Sequence, residues 1–154
     1  MKKPKQALIL GACGPADCAA WAQMRHSLWP ESSAEDHASE VTSLLSKPEG
    51  YAVFLVKDGR GSPVGFVEVS LRYDYVNGTQ SSPVAFVEGL YVEERWRRRG
   101  VARLLIEAVF QWAKIRGCTE LASDALLENT ESHEAHKALG FEETERVVYF
   151  RKQL

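Results

Sequence analysis

The run Arg97-Arg98-Arg99-Gly100-Val101-Ala102 gathers cations where a helix least tolerates them. Val101, Leu104, Leu105, Ala108, Val109, Trp112 and Ala113 recur at helical spacing on one face, so a helix begins near Gly100. The first N–H groups of a helix have no intrahelical partner and carry partial positive charge, and arginines beside them repel it unless an anion lies between. A phosphate resolves the conflict. Glycine lets it approach the backbone, the N–H groups donate to it, and guanidinium groups add charge-assisted bonds. The plainer reading is a solvated basic turn.

Glu88 is the second chemically pointed residue. It sits inside the apolar run Ala85 to Val92, where an ionised side chain is costly unless it reaches water, a cation or a partner. Gly89 beside it favours a bulge or an opening of the backbone. Asp124 closes Leu121-Ala122-Ser123-Asp124 and, taken alone, is a strand-end carboxylate. Trp29 and Tyr75 read singly as core or rim aromatics, Glu145 as a solvated strand charge, Asn129 as a loop or capping residue, and His136 as a packed or exposed helix histidine. Cys13, Cys18 and Cys118 are odd in number, have no zinc spacing and stand beside no recognisable base. They are expected to be reduced thiols, with no metal site and no covalent acyl-enzyme.

The chain as a whole limits what these residues can serve. Its 154 residues suit one domain, 1–154, and 45% hydrophobic with 26% charged residues is a globular composition without a linker or repeat. Lys2, Lys3 and Lys5 precede only Ala7 to Leu10, too short an apolar run for a signal-peptide core or a membrane span, so the expected compartment is the cytoplasm. The net charge is −2, yet Arg95, Arg97, Arg98, Arg99 and Arg103 fall in one stretch with no acid. Elsewhere 14 basic residues face 21 acidic ones. That distribution suits one compact polyanion and a cationic second ligand; a nucleic-acid binder spreads its basic residues over a broader face.

The elements that must position these residues follow from periodicity and breakers. Ala7 to Leu10 reads as a strand. A helix follows with Pro15 in its first turn and Trp21, Met24 and Leu28 on its apolar side, until Pro30. A second helix opens at Ser32-Ser33 with Glu35 and Asp36 in its first turn and closes before Pro48. Tyr51 to Lys57 and Val64 to Tyr73 form an antiparallel pair around Asp58-Gly59, and after a polar turn region a strand runs from Val84 to Val92. The helix Val101 to Arg116 stops at Gly117. A strand Glu120 to Ala125, a short helix Glu131 to Leu139 and a last strand Glu142 to Arg151 complete an α/β domain with a mixed central sheet and about four helices.

That order, with the Arg-x-x-Gly-x-Ala turn before the third helix and Ala138-Leu139-Gly140-Phe141 after the fourth, resembles the GNAT superfamily of acetyl-CoA-dependent N-acetyltransferases over nearly the whole chain. A narrower set also matches in order: Leu28-Trp29-Pro30, Asp74 to Gly78, Ser81 to Val84, Phe86 to Gly89, Ala122-Ser123-Asp124, Glu128-Asn129-Thr130 and Gly140 to Val147. It resembles the short, dimeric branch of bacterial aminoglycoside 6'-N-acetyltransferases, which give antibiotic resistance. The resemblance implies that Arg97, Arg98, Arg99, Gly100, Val101, Ala102 and Arg103 grip the pyrophosphate of coenzyme A. By the same likeness the backbone of Leu90, Tyr91 and Val92 pairs with the pantetheine arm, and Asn129 contacts the coenzyme.

It also implies an acceptor site. Trp29 and Tyr75 would wall a sugar ring, Glu145 would take an ammonium, and Glu88 or Asp124 would hold the reacting amine and remove its proton, the choice between them open. Where many members of the superfamily carry a tyrosine that protonates the leaving thiolate, this chain has His136. The expected activity is direct transfer of acetyl from acetyl-CoA to the 6' amine of an aminoglycoside by a homodimer, without metal, nucleic acid or membrane. The rivals are a GNAT enzyme for another polyamine or amino-sugar, and a coenzyme-binding sensor without catalysis.

Overall fold

Valine- and aromatic-rich runs pair in the order in which they occur. The structure, a computed structural model, describes residues 6–47 and 49–154. Lys2, Lys3, Lys5 and Pro48, used above for the leader and for a helix stop, lie outside the described residues. Strands β1 (Leu8–Ala12), β2 (Tyr51–Asp58), β3 (Pro63–Arg72) and β4 (Val84–Val92) form an antiparallel meander. A fifth strand, β5 (Leu121–Ala122), joins β4 in parallel, giving the sheet order β1-β2-β3-β4-β5. The β2–β3 turn is fastened by Asp58, whose carboxylate accepts from the N–H groups of Ser62 and Arg60 at 3.0 and 2.9 Å; the Ser62 bond is the main reason its pKa falls.

Among the described residues, helices cover both faces. Helices α1 (Cys18–Leu28) and α2 (Ala34–Leu45) come first, the latter capped by Ser33 Oγ, which accepts from Asp36 N–H at 3.1 Å. They close one face over Trp21, Met24, Val41, Val53, Leu55 and Phe66. Helix α3 (Val101–Ile115) lies on the other face and buries Val101, Leu105, Val109, Trp112 and Ala113 against Val56, Val64, Val67, Val69, Ala85 and Val87. Each large apolar side chain so buried contributes about 1.5–3 kcal/mol. A cation near a helix start costs only about 0.3–1 kcal/mol, so packing holds α3 in place despite the arginines. Helix α4 (Thr130–Ala138) follows, and Phe141 behind it packs on the α3 core. Among the described residues, no helix is long and apolar enough to cross a membrane.

Two sequence expectations change. The strand expected over Glu120 to Ala125 is only two residues long, because β5 pairs with β4 just at Ala85↔Leu121 and Phe86↔Ala122 before the two separate. The last strand expected over Glu142 to Arg151 is absent: the stretch is irregular, and Val148, Tyr149 and Phe150 are exposed. Its strand-forming composition is real, but within one chain no neighbouring strand offers a ladder, and an unpaired strand is not stable.

Candidate active site

Beyond Phe86 and Ala122 the strands part, and the β4 edge from Val87 to Val92 faces the gap with no partner from β5. A bulge shapes this stretch. Glu68 pairs with Gly89 while Val69 pairs with Val87, so Glu88 is the extra residue. The bulge expected beside Gly89 is therefore present. It keeps Glu88 and Gly89 on the α1–α2 face, Glu88 among Ser70 and Arg72, and Gly89 under Trp29.

Glu88 is half-buried and already partnered. Ser70 Oγ donates to Oε1 at 2.5 Å, and Arg72 Nη2 lies 2.9 and 3.0 Å from the two oxygens. Arg72 in turn lies over the Phe86 ring at 3.5 Å. The cation that a strand carboxylate requires is thus internal. Asp124, two residues past the end of β5, is exposed and has no hydrogen-bond or ion-pair partner among the described residues. Of the two carboxylates, Asp124 is the one free to meet an ammonium, while Glu88 is held by Arg72 and Ser70.

Trp29 is held by a closed circuit. Its carbonyl accepts from His37 Nε2 at 2.9 Å, which leaves His37 Nδ1 to accept from Arg25 Nε at 3.4 Å. The Arg25 guanidinium lies under the Trp29 ring at 4.8 Å and pairs with Glu68 Oε1 and, at 2.7 Å, with Glu40. Trp21 Nε1 and the Tyr51 hydroxyl donate to Glu68 at 2.8 and 2.7 Å, so this buried carboxylate is fully engaged. Burial opposes the Arg25 charge, but Glu68 and then Glu40 outweigh it and hold its pKa above the ordinary value. Burial, reinforced by Glu68, pushes the Tyr51 phenol well up. Sequence reasoning missed this network, although Glu68 sits in an apolar strand just as Glu88 does, and that shared oddity was its signal.

The remaining expected acceptor residues are less gathered. Tyr75 is 74% exposed on the loop between β3 and β4, which Val76 anchors to Val84, Phe86 and Ala122. Glu145, expected on a strand, stands instead on the irregular stretch, where it accepts from Asn77 Nδ2 at 3.2 Å. That contact and Thr144 packed against Gly78 bring the two segments together.

On the coenzyme side, the turn before α3 is shaped for an anion. Arg98 and Gly100 both adopt left-handed φ, 59° and 86°, the kind of turn backbone that suits an anion-binding nest. The first helical bond of α3 runs from Leu104 N–H to the Gly100 carbonyl at 3.1 Å, so the N–H groups of Val101, Ala102 and Arg103 precede the ladder. A Cβ on Gly100 would meet nothing within 4 Å, so the approach is open. Arg97 Nε donates to the Val92 carbonyl at 3.0 Å, tying the nest to the end of β4, and Arg99 lies over Trp96. The loose tie of Arg97 to Glu131 at 3.9 Å leaves the cluster strongly cationic. Leu90, Tyr91 and Val92 lie along the unpaired edge leading from nest to gap. These residues fit a pyrophosphate with an amide-bearing arm. Asn129 caps α4, its Oδ1 accepting from Ser132 N–H at 3.1 Å, which is the structural role open to it from sequence.

The cysteines stay outside this chemistry. Cys118 is buried, and burial, with Asp17 next, pushes the Cys13 thiol up to about 12, which disfavours a nucleophilic thiolate.

Comparison with known proteins fits this geometry. The model of the acetyltransferase (GNAT) family matches residues 21–141. An aminoglycoside N(6')-acetyltransferase type 1 of Stenotrophomonas maltophilia is 56% identical over 91% of this chain and 90% of its own length. One from Serratia marcescens is 51% identical over 92% and 97%. Among solved structures, AAC(6')-Iy in complex with the bisubstrate analogue CoA-S-monomethyl-acetylneamine superposes with a TM-score of 0.89 at 40% identity, covering 96% of this chain and 99% of that one. AAC(6')-Ih from Acinetobacter baumannii gives 0.91 at 41%, covering 96% and 99%.

Proposed function

This chain belongs to the GNAT family of acetyltransferases, and from that premise we propose that it is an aminoglycoside 6'-N-acetyltransferase conferring antibiotic resistance. The observation that carries the reading is the pairing of a cationic nest with a gap beside β4, whose bulge holds Glu88 and sets Gly89 under Trp29, and with Asp124 exposed just past β5. The nest and the N–H groups of α3 take the pyrophosphate of acetyl-CoA, with Arg97, Arg98, Arg99 and Arg103 around it. The edge of Leu90, Tyr91 and Val92 takes the pantetheine amides, and Asn129 borders the arm. The thioester then enters the gap.

An ammonium cannot attack a thioester while protonated. Asp124, free and exposed, receives the 6' ammonium and takes its proton, directly or through water, while Glu88, fixed by Arg72 and Ser70, lines the acceptor side. Trp29 and Tyr75 flank the sugar, and Glu145 takes a second ammonium. The amine attacks the acetyl carbonyl within a ternary complex, without an acetyl-enzyme. One domain of residues 1–154 performs this in the cytoplasm.

The chain also acts as a homodimer in this reading. What supports it is the irregular carboxyl-terminal stretch, where Val147, Val148, Tyr149, Phe150 and Leu154 are exposed in sequence suited to a strand. A second copy is the occupant that returns these residues to a sheet. Light scattering should give twice the chain mass, and removal of residues 146–154 should halve it.

Thiol release from acetyl-CoA with kanamycin, tobramycin, spermidine or no acceptor tests the activity. Kanamycin and tobramycin should each accept one acetyl, mapped by NMR to the 6' amine. A kinetic preference for spermidine over every aminoglycoside would give the site to a polyamine, and binding of acetyl-CoA without transfer would make it a sensor.

A further inference from the structure

On the α3–α4 side of the gap, a serine and a histidine meet that neither the nest nor the acceptor wall uses. Ser123 directly follows Ala122, the last paired residue of β5, so it stands at the vertex where the two strands separate. His136 Nε2 lies 2.8 Å from Ser123 Oγ. The other ring nitrogen, Nδ1, lies 2.7 Å from the Ser132 carbonyl one turn earlier, and a carbonyl only accepts, so Nδ1 carries a proton. The edge of Phe141 closes the ring from a third direction, at 5.4 Å and 73°. Ser123, Ser132 and Phe141, which pack on the imidazole, are uncharged. The tautomer leaves Nε2 as the variable position: it accepts the serine hydroxyl when the ring is neutral and donates to Oγ when the ring carries both protons.

We propose that Ser123, backed by His136, delivers the proton to the thiolate that leaves during acetyl transfer. The proposal rests on the acetyl-CoA reading above and deepens it. Chain polarity places the group. The nest lies just past the carboxyl end of β4, so an arm laid from it along Val92, Tyr91 and Leu90 runs back toward the vertex, and the end farthest from the phosphates arrives beside Ser123. When the amine nitrogen bonds to the acetyl carbon, the C–S bond breaks and its electron pair stays on sulfur. With the ring doubly protonated, the Oγ proton passes to sulfur while the Nε2 proton passes to Oγ. The products on this side are a free thiol, an intact serine hydroxyl and a neutral imidazole, which regains a proton from water. The protons lost by the amine leave on the opposite face through Asp124 or water, so the account balances. Ser123 is the catalytic residue, and His136 positions and recharges it.

Single-turnover acetylation of tobramycin by the full chain tests this. Ser123→Ala and His136→Gln should each slow transfer about a hundredfold, the range of general acid catalysis, with KM for both substrates changed less than about threefold. The double variant should be no slower than either single one, because both act on one proton path. Ser123→Thr, which returns the hydroxyl, should recover most of the rate. Transfer by Ser123→Ala at the wild-type rate, or a loss confined to KM, would overturn the relay while leaving the acetyltransferase reading intact. If the wild-type chain transfers acetyl to no amine, the parent reading fails and the relay with it.

Discussion

Trp29 occupies the space that a side chain at Gly89 would need. A Cβ there would fall 2.5 Å from Cη2 and 2.7 Å from Cζ2 of the indole. Gly89→Ala must therefore displace Trp29, which the proposed reading sets in the acceptor wall. We expect kcat/KM for aminoglycosides to fall at least about tenfold, the scale of a misplaced positioning group, with a change in tryptophan fluorescence and little change in acetyl-CoA affinity.

Removing one partner from the buried Arg25–Glu68 pair leaves the other charge unmatched. Glu68→Leu and Arg25→Leu should each destabilise by about 3–5 kcal/mol, and the double variant by much less than their sum. Urea denaturation of the four proteins gives the coupling. Tyr51→Phe should cost about 1 kcal/mol. Because the folded phenol titrates above its unfolded value, the Tyr51 contribution is full below about pH 10 and is lost as pH rises beyond it.

Gly100→Asp should weaken acetyl-CoA binding at least about tenfold by calorimetry. It adds a carboxylate where the pyrophosphate approaches and a Cβ at a φ of 86°. Gly100→Ala adds only the strain, on the order of 1 kcal/mol, and should keep most of the affinity. Equal affinity in the wild type and Gly100→Asp would remove the nest as coenzyme anchor.

Asp124→Asn should lower aminoglycoside turnover more than Glu88→Gln does, since Glu88 is already paired with Arg72. Acetyl-CoA affinity should stay within about threefold of wild type in both, as their proposed place on the acceptor side requires. Acceptor binding should also weaken with added salt, because the carboxylates are partly exposed and screened. Steady-state kinetics and calorimetry across ionic strength check both points.

Glu120 clamps the loop that carries Tyr75, accepting from the Ser81 hydroxyl and from Gln80 N–H, and these bonds, Ser81 foremost, hold its pKa below the usual range. A carboxyl depressed on folding stabilises above its unfolded pKa of about 4.3 and loses that contribution as pH falls through the lower folded value. The stability gap between wild type and Glu120→Gln should therefore be present at pH 7 and vanish in strong acid. Urea midpoints from neutral to acid pH will show it.

Much of this was legible in the residues. The conflict between Arg97–Arg99 and the start of α3 located the nest, and Glu88 beside Gly89 located the bulge, because both are local contradictions that only a particular backbone resolves. The Arg72 partner of Glu88 and the circuit around Glu68 were not legible. They join residues 16 to 47 positions apart, and nothing local marks which cation a buried carboxylate will find. The last strand was misjudged for a related reason: Val147 to Phe150 have strand composition, but a strand exists only where another edge awaits it.

The seam between β4 and β5 rests on two residue pairs, whereas the β1–β4 meander closes by neighbours in chain order. Only the β2–β3 connection is short: two helices separate β1 from β2, and β5 reaches β4 only after α3 has been laid down. With two residue pairs, this seam is the shortest ladder of the sheet, and the gap beside it is the part least tied by backbone bonds. Within the sheet, amide exchange should be fastest along this seam, and in the proposed reading the pantetheine arm would bridge what the backbone leaves unbridged, a sixth strand borrowed for one turnover.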